Sequence, residues 1–237
     1  MATPGLMFVA SRVRDRRKTS DVLYNRFYNE EHLPDVLASS QTKLALRYKN
    51  LSGDGDNATL PYLALYPVDD AAIIGSPESL KRLEDTKKSR ILGCDDIFDL
   101  IHFELRAYEK IQAYEASGHE NASGLERGRM LSCVAIEPAE GHDGDLDKWY
   151  RKEHLDKLAK CGGFRRCTRY RRMDGVCPRF LALMELDCTP EYFAPTQDEA
   201  SHIVETEWSK RILSAAKVHH QELFMLIEAQ GDTYRKL

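Results

Sequence analysis

The feature that most constrains this chain is that it repeats itself. Phe27-Tyr28-Asn29-Glu30-Glu31-His32-Leu33 aligns with Trp149-Tyr150-Arg151-Lys152-Glu153-His154-Leu155, 122 positions later. Arg47-Tyr48 returns as Arg169-Tyr170 at the same spacing, Leu63-Ala64-Leu65 as Leu181-Ala182-Leu183 after 118, and Arg90-Ile91-Leu92 as Arg211-Ile212-Leu213 after 121. Four matches in one order, drifting by only a few residues, mark a tandem duplication. The 237 residues then divide into a module at 1–112, a polar Gly/Ser/Glu/His-bearing linker at 113–127 and a module at 128–237.

Each module reads β-α-β-β-α-β. In the first, strands are expected at 6–13, 43–51, 60–67 and 97–107, with helices at 20–37 and from 76 onward. Ser20 is placed to cap the first helix, and Ser76-Pro77 supplies a cap and a first-turn proline for the second. In the second, strands are expected at 130–137, 164–173, 179–186 and 222–228, with helices at 145–160 and ending near 216. This order is that of the split βαβ, ferredoxin-like motif, an antiparallel sheet with both helices on one face. The bare face of such a sheet needs a cover, and a second copy in the same chain supplies one. The expected fold class is therefore α+β: two tandem ferredoxin-like modules packed sheet to sheet as an intrachain, pseudo-dimeric α+β barrel.

Composition narrows the function classes. With 42% hydrophobic and 30% charged residues, each half has enough apolar material for its own core. A formal charge of −4 argues against a general nucleic-acid binder. No apolar run approaches the roughly 20 residues that cross a bilayer. Arg12, Arg14, Arg16, Arg17 and Lys18 follow the first apolar stretch rather than precede it, the reverse of a secretory signal, so a cytoplasmic location is expected. The six cysteines at 94, 133, 161, 167, 177 and 188 form no Cys-x-x-Cys pair and read as free thiols, with no metal site. The arginines at 165, 166, 169, 171 and 172 read as a solvated or edge-strand face, some pairing with helix carboxylates, rather than as an anion site.

The first helix of each module carries the pattern richest in chemistry. At about 100° per residue, Tyr24, Phe27, Tyr28 and Glu31 share a face with His32 at its edge. Leu146, Trp149, Tyr150 and Glu153 repeat the arrangement beside His154. A carboxylate on an aromatic face is desolvated, and desolvation moves its pKa toward the range useful for proton transfer. The structural reading is that Glu31 pairs with Arg47 and Glu153 with Arg169. Pro34 is expected to bend the first helix just after His32, setting the imidazole near a helix C-terminus that favours its protonated form. Asp156 replaces that proline in the second copy, so the first copy is expected to be the active one. Tyr62, Tyr66, Met184 and Trp208 read as core or pocket wall, and the His219-His220 doublet as poor geometry for a shared metal.

Through Phe27-Tyr28-x-x-Glu31-His32-Leu33-Pro34 and its repeat, the sequence resembles the dimeric α+β barrel superfamily, and within it the tandem-domain EthD-like proteins of fungi. The resemblance implies pockets between each sheet and its helices. It also implies a family spanning cyclases, dehydratases, cofactor-independent monooxygenases, isomerases, lyases and haem-binding enzymes. A first-helix histidine serving as acid or base in several of these maps onto His32 and, by the repeat, His154.

The leading expectation is a cofactor-independent enzyme of secondary, polyketide-type metabolism. It would perform acid–base chemistry (dehydration, cyclisation, isomerisation or carbon–carbon lysis, with monooxygenation as a further option) on an apolar or aromatic small molecule. His32 is the candidate base or acid, Glu31 its orienting partner, and Tyr28 and Tyr48 the donors to an oxyanion. Tyr24, Phe27, Arg47 and Tyr62 are the candidate substrate contacts, and Tyr150, Glu153, His154 and Tyr170 the second-copy equivalents. Two alternatives stand beside it. One is a haem protein with an axial ligand from His154, His202 or His220. The other is a non-catalytic ligand-binding or assembly module. Expected partners are a small-molecule substrate and a second copy of the chain, with no nucleic acid and no membrane.

Overall fold

The structure is a computed structural model that describes residues 2–51, 60–117, 127–189 and 203–237. Contacts divide the chain into one unit of residues 1–109 and 226–237 and another of residues 110–225.

The first unit is built from β1 (Gly5–Val13), α1 (Asp21–Phe27), α2 (Leu33–Ala38), β2 (Leu44–Asn50), β3 (Tyr62–Val68), α3 (Pro77–Asp85) and the first part of β4 (Ile101–Glu115). Its strands lie in the order β4-β1-β3-β2, and the paired registers are antiparallel. Successive strand residues face opposite sides, so Met7, Val9, Ser11, Ala45, Arg47, Tyr62, Ala64 and Tyr66 share one face. The apolar members of that face pack with Tyr24, Phe27, Tyr28 and Leu33 of the first helical segment. Ser20 caps α1 by accepting the Leu23 amide at 3.2 Å, and Ser76 caps α3 through the Ser79 amide at 3.2 Å, as the sequence pattern requires.

The second unit repeats the plan with β5 (Met130–Glu137), α4 (Asp143–Trp149), α5 (Leu155–Leu158), β6 (Phe164–Arg172), β7 (Phe180–Leu186), α6 (Glu207–Ala215) and the first part of β8 (Val218–Gly231). Its order is β8-β5-β7-β6, again with antiparallel registers.

β4 and β8 are longer than the sequence suggests. β4 runs on through Glu115, into the stretch read as linker, and its end lies beside β6, where the Ala116 amide donates to the Arg165 carbonyl at 2.9 Å. β8 runs on to Gly231, and its last residues belong to the first unit, beside β2. There the Asp232 amide meets the Lys43 carbonyl at 2.6 Å. Each unit thus takes a fifth strand from the end of one that began in the other. The polar sequences of these ends gave no hydrophobic alternation to announce them.

The helices hold the second surprise. Pro34 is the second residue of α2, directly after a π-helical turn. That turn separates α1 from α2 at Tyr28–His32, and an identical one separates α4 from α5 at Tyr150–His154, with no proline present. The distortion belongs to the Tyr-x-x-Glu-His motif itself in both copies, and single π-turns inside helices gather at functional sites.

Candidate functional site

A cavity of about 210 Å³ opens in the first unit between the sheet and its helices. Its wall is chiefly apolar: Met7, Val9, Phe103 and Leu105 from the sheet, Val36 from α2, and Leu80 and Leu83 from α3. α3 buries none of its residues against the sheet, and Leu80, Leu83 and Leu105 are exposed around the opening. The buried polar groups of the lining are two side chains, His32 and Tyr66, which are 9% and 1% exposed. Asp35 also borders the cavity, but at an exposed position.

His32 stands edge-on to Tyr28 and tilted against Phe27, with ring centroids 4.9 and 5.5 Å apart. Burial, and then the positive field of Arg47, pull its pKa down to about 4 against the opposing field of Glu31. The expectation of a protonated imidazole at a helix end is therefore corrected. The helix continues through the π-turn, and His32 is neutral near pH 7, with an open lone pair available as a base.

Glu31 makes no hydrogen bond to His32 and reaches it only through its field. Its carboxylate accepts hydrogen bonds from Ser89 Oγ at 2.5 Å and from the Arg90 and Ile91 amides at 2.9 and 3.2 Å, with the Arg90 side chain at 3.4 Å. Burial alone would raise this carboxyl, but those donors outweigh it and hold the group below the usual carboxylate range. Glu31 is a fixed anion that ties the 89–91 segment to the first helix. Its expected pairing with Arg47 is not formed.

Arg47, 1% exposed, is held by two amides: Nη1 donates to Asn29 Oδ1 at 2.5 Å and Nη2 to Asn25 Oδ1 at 2.8 Å. Its guanidinium lies 4.3 Å from the Tyr28 ring centroid, 5.4 Å from Tyr24 and 5.7 Å from Tyr62, within cation–π range. No carboxylate among the described residues pairs with it. Glu228 is reached only through Asn29, whose Nδ2 donates to it at 3.0 Å.

Around Arg47 the aromatic residues form a tier of hydroxyls. Ser11 Oγ and Tyr24 Oη share a 2.7 Å hydrogen bond, and the Tyr24 ring is tilted against Tyr62 with centroids 4.6 Å apart. The Tyr28 and Tyr66 hydroxyls are buried and lie close enough to interact with each other, but neither makes a well-formed hydrogen bond. Burial raises the pKa of Tyr24, Tyr28 and Tyr66, and Arg47 opposes the rise in all three. These phenols are protonated donors.

The predicted site residues thus separate. His32, Phe27, Tyr28, Tyr24, Arg47 and Tyr62 come together on the helix face of the sheet. Tyr48 does not join them: it follows Arg47 on β2, so it points to the opposite face. Tyr66 was read only as wall and Ser11 not at all. Both share a face with Val9 and Ala64 through the β1–β3 register, and strand alternation is the signal that would have found them.

The second unit keeps half of this arrangement. His154 stacks on Trp149 at 4.0 Å, its Nδ1 is buried without a hydrogen bond, and burial followed by Arg169 pulls its pKa down to about 3. Arg169 lies 4.0 Å from the Tyr150 ring centroid, as Arg47 does over Tyr28. Here the partner is a carboxylate: Nη1 bonds Asp147 Oδ1 at 2.9 Å, and Gln112 Oε1 at 2.6 Å. Glu153, expected on Arg169, instead accepts from Thr206 Oγ1 at 2.7 Å. Tyr170 follows Arg169 on β6 and, like Tyr48, faces away from it. The register places Ile136, Phe180 and Met184 where the first unit has Ser11, Tyr62 and Tyr66, and the repeat places Leu146 at Tyr24. α6 also packs more closely than α3: Ser209 and Ile212 are buried, and Trp149 Nε1 donates to Ser209 Oγ at 3.1 Å.

The arginine-rich β6 is not a solvated face. Arg165, Arg166 and Arg169 are buried, and they lie against Asp187, Glu185 with Glu115, and Asp147 respectively. Of the histidines considered for haem, His154 is enclosed by Trp149, Tyr150 and Arg169, so a macrocycle would have to displace that packing. His220 is exposed beside Glu222 on β8, and His202 lies outside the described residues. The described residues contain no group of three or more potential metal ligands, no helix long and apolar enough to cross a membrane, and only free cysteines.

No family model matches the chain. It is 26% identical over 207 residues to core atranone cluster protein 1 of Stachybotrys chlorohalonatus, covering 87% of this chain and 82% of that one. Among solved structures it resembles chlorite dismutase from Candidatus Nitrospira defluvii, with a TM-score of 0.60, 9% identity and coverage of 95% and 91% of the two chains. It also resembles an anthrone oxidase-like protein, with a TM-score of 0.57, 11% identity and coverage of 98% and 94%. These neighbours are dimeric α+β barrel proteins, and at such identities the likeness shows the fold.

Proposed function

We propose that the chain is an enzyme of secondary, small-molecule metabolism that removes a proton from an apolar or aromatic metabolite held in the first unit's cavity, without a cofactor. The observation that carries this reading is that a neutral, buried imidazole and a buried phenol, His32 and Tyr66, both border an apolar cavity. A base must be unprotonated to act, and His32 is; its pKa of about 4 makes it a weak base, suited to a proton that the site itself has made acidic. It would take a proton from carbon or oxygen of the substrate. The electron pair would be left on a conjugated oxygen, and the imidazolium would then return the proton to a leaving hydroxyl or another carbon. Dehydration, cyclisation, isomerisation and carbon–carbon lysis share that step. The name of the atranone-cluster relative supports a secondary-metabolic setting.

The same reading covers the architecture. The β-α-β-β-α-β order in each unit and the 122-residue repeat support two ferredoxin-like modules of EthD-like, tandem type.

The test is solvent-deuterium exchange into a panel of β-keto and aromatic polyketide-type compounds, followed by NMR. Wild-type protein is expected to catalyse exchange into at least one compound. His32→Ala should slow that exchange by at least about 100-fold while the circular dichroism spectrum is kept. Undiminished exchange by His32→Ala removes His32 from the mechanism.

A further inference from the structure

We propose that the first unit's cavity selects substrates carrying an ionisable enol or phenol, and that Tyr66, backed by Tyr28 and Arg47, holds that oxygen as its anion. This deepens the proton-abstraction reading and rests on the same cavity, but it assigns a different job to different residues.

Three observations converge on it. First, Tyr66 borders the cavity, is 1% exposed, and its buried hydroxyl makes no well-formed hydrogen bond, its near neighbour being the Tyr28 hydroxyl. A buried hydroxyl left unpaired costs about 1–3 kcal/mol, so a fold that keeps one at a cavity wall is ready to gain a bond from whatever enters. Second, the buried Tyr28 hydroxyl interacts with that of Tyr66, and the Arg47 guanidinium lies over the Tyr28 ring at 4.3 Å. A cation on a ring face draws electron density from the phenol and makes it a stronger donor. Third, Arg47 is a buried cation bonded to amide oxygens rather than to a carboxylate. Burying a charge without a counter-charge is expensive, and an anion arriving nearby supplies the compensation. The second unit shows the contrast, because there Asp147 already neutralises Arg169 at 2.9 Å.

The other charged groups bordering the cavity do not reverse this bias. Asp35 is exposed, and burial followed by the field of Glu31 raises its pKa. Glu31 is tied to Ser89, Arg90 and Ile91, and Arg82 is paired with Glu78 at 2.6 Å. His32 contributes no negative charge. The buried end of the cavity is therefore a neutral base, a phenol donor and, behind them, a cation whose nearest bonded carboxylate, Glu228, is reached only through Asn29. A ligand whose acidic hydroxyl sits on an aromatic or conjugated apolar body matches all three.

The probe is 4-nitrophenol, whose phenolate absorbs at longer wavelength than its phenol, titrated with purified full-length protein across its solution pKa. Bound probe is expected to ionise at least about one pH unit lower than free probe, a tenfold shift in its protonation equilibrium. Tyr66→Phe should abolish most of that shift, and Tyr28→Phe part of it, with melting temperatures showing that both variants fold. His32→Gln should keep the shift while losing deuterium exchange, which separates this proposal from the base assignment. Probe that binds with an unshifted pKa overturns the proposal, as does failure of millimolar probe to bind. A shift lost in His32→Gln but intact in Tyr66→Phe also overturns it, because the anion would then be held by imidazolium, and the base assignment would survive.

Discussion

The two units share one frame and differ in what it encloses. Both retain a histidine at the end of a π-turn, an aromatic residue against it, and a strand arginine over a tyrosine ring. In the first copy that arginine is surrounded by Ser11, Tyr24, Tyr28, Tyr62 and Tyr66 and held by amides. In the second, Ile136, Leu146, Phe180 and Met184 replace all but Tyr150, and a carboxylate closes the charge. There the arginine over the tyrosine is paired with a carboxylate, the packing around it is hydrocarbon, and a helix is pinned through Trp149 to Ser209. His154 Nδ1 and Arg169 Nη2 are nonetheless left buried without a hydrogen bond. The first carries hydroxyls without well-formed hydrogen bonds, a buried cation held by amides and a helix standing off the sheet, each unfavourable for stability. Unfavourable features gathered at one end of a cavity are what a site for chemistry looks like when its scaffold could have done without them.

The comparison can be broken by exchanging its parts. The largest effect is expected from the two histidines: His32→Gln should lower deuterium exchange by at least about 100-fold, whereas His154→Gln should leave it within about twofold. Equal losses would mean that the copies share the work. The next effect comes from the arginine partners, since Asn25 and Asp147 occupy equivalent positions in the repeat. Asn25→Asp imports the second copy's carboxylate beside Arg47 and should cut exchange by about tenfold, the loss of about 1.4 kcal/mol of anion stabilisation. The reciprocal Asp147→Asn strips Arg169 of its charged hydrogen bond and should cost about 1–2 kcal/mol in urea melts without altering exchange.

A smaller effect is expected at Tyr66. Replacing it by phenylalanine removes a buried hydroxyl whose contact with Tyr28 is not a well-formed hydrogen bond and should change stability by no more than about 1 kcal/mol, even as probe ionisation is lost. A clear destabilisation would show that the hydroxyl is satisfied in the folded protein. The last prediction concerns pH. His32 and His154 have folded pKa values of about 4 and about 3, below the unfolded value of 6.5. Between these limits the unfolded chain binds protons that the folded one refuses, so stability is full above about pH 6.5 and falls as pH drops toward 4 and 3. Each histidine contributes a slope of at most about 1.4 kcal/mol per pH unit. His32→Gln and His154→Gln should each flatten the acid limb, the second extending to lower pH.

How much of this the amino-acid order disclosed depends on the element. The repeat, the order of strands and helices in each half, the serine caps and the clustering of Tyr24, Phe27, Tyr28 and His32 were all legible, because each rests on local periodicity or capping chemistry. Glu31 was misplaced for a definite reason. A wheel drawn at 100° per residue assumes an α-helix, and the π-turn at Tyr28–His32 holds an extra residue, so each step advances less and the carboxylate swings toward Ser89. Tyr48 was a different kind of error. It was grouped with its neighbour Arg47, although one strand cannot send adjacent side chains to the same face. The long ends of β4 and β8 were invisible because their pairing partners, β6 and β2, lie far away in sequence.

The measurement that tests the central claim most directly is a crystal structure of the full chain soaked with 4-nitrophenol. The account predicts electron density for the probe in the first unit, with its oxygen within hydrogen-bonding distance of Tyr66 Oη and its ring against Val9, Phe103 and Leu105. Probe seated against His154 and Arg169 instead, with the first cavity empty, would contradict it.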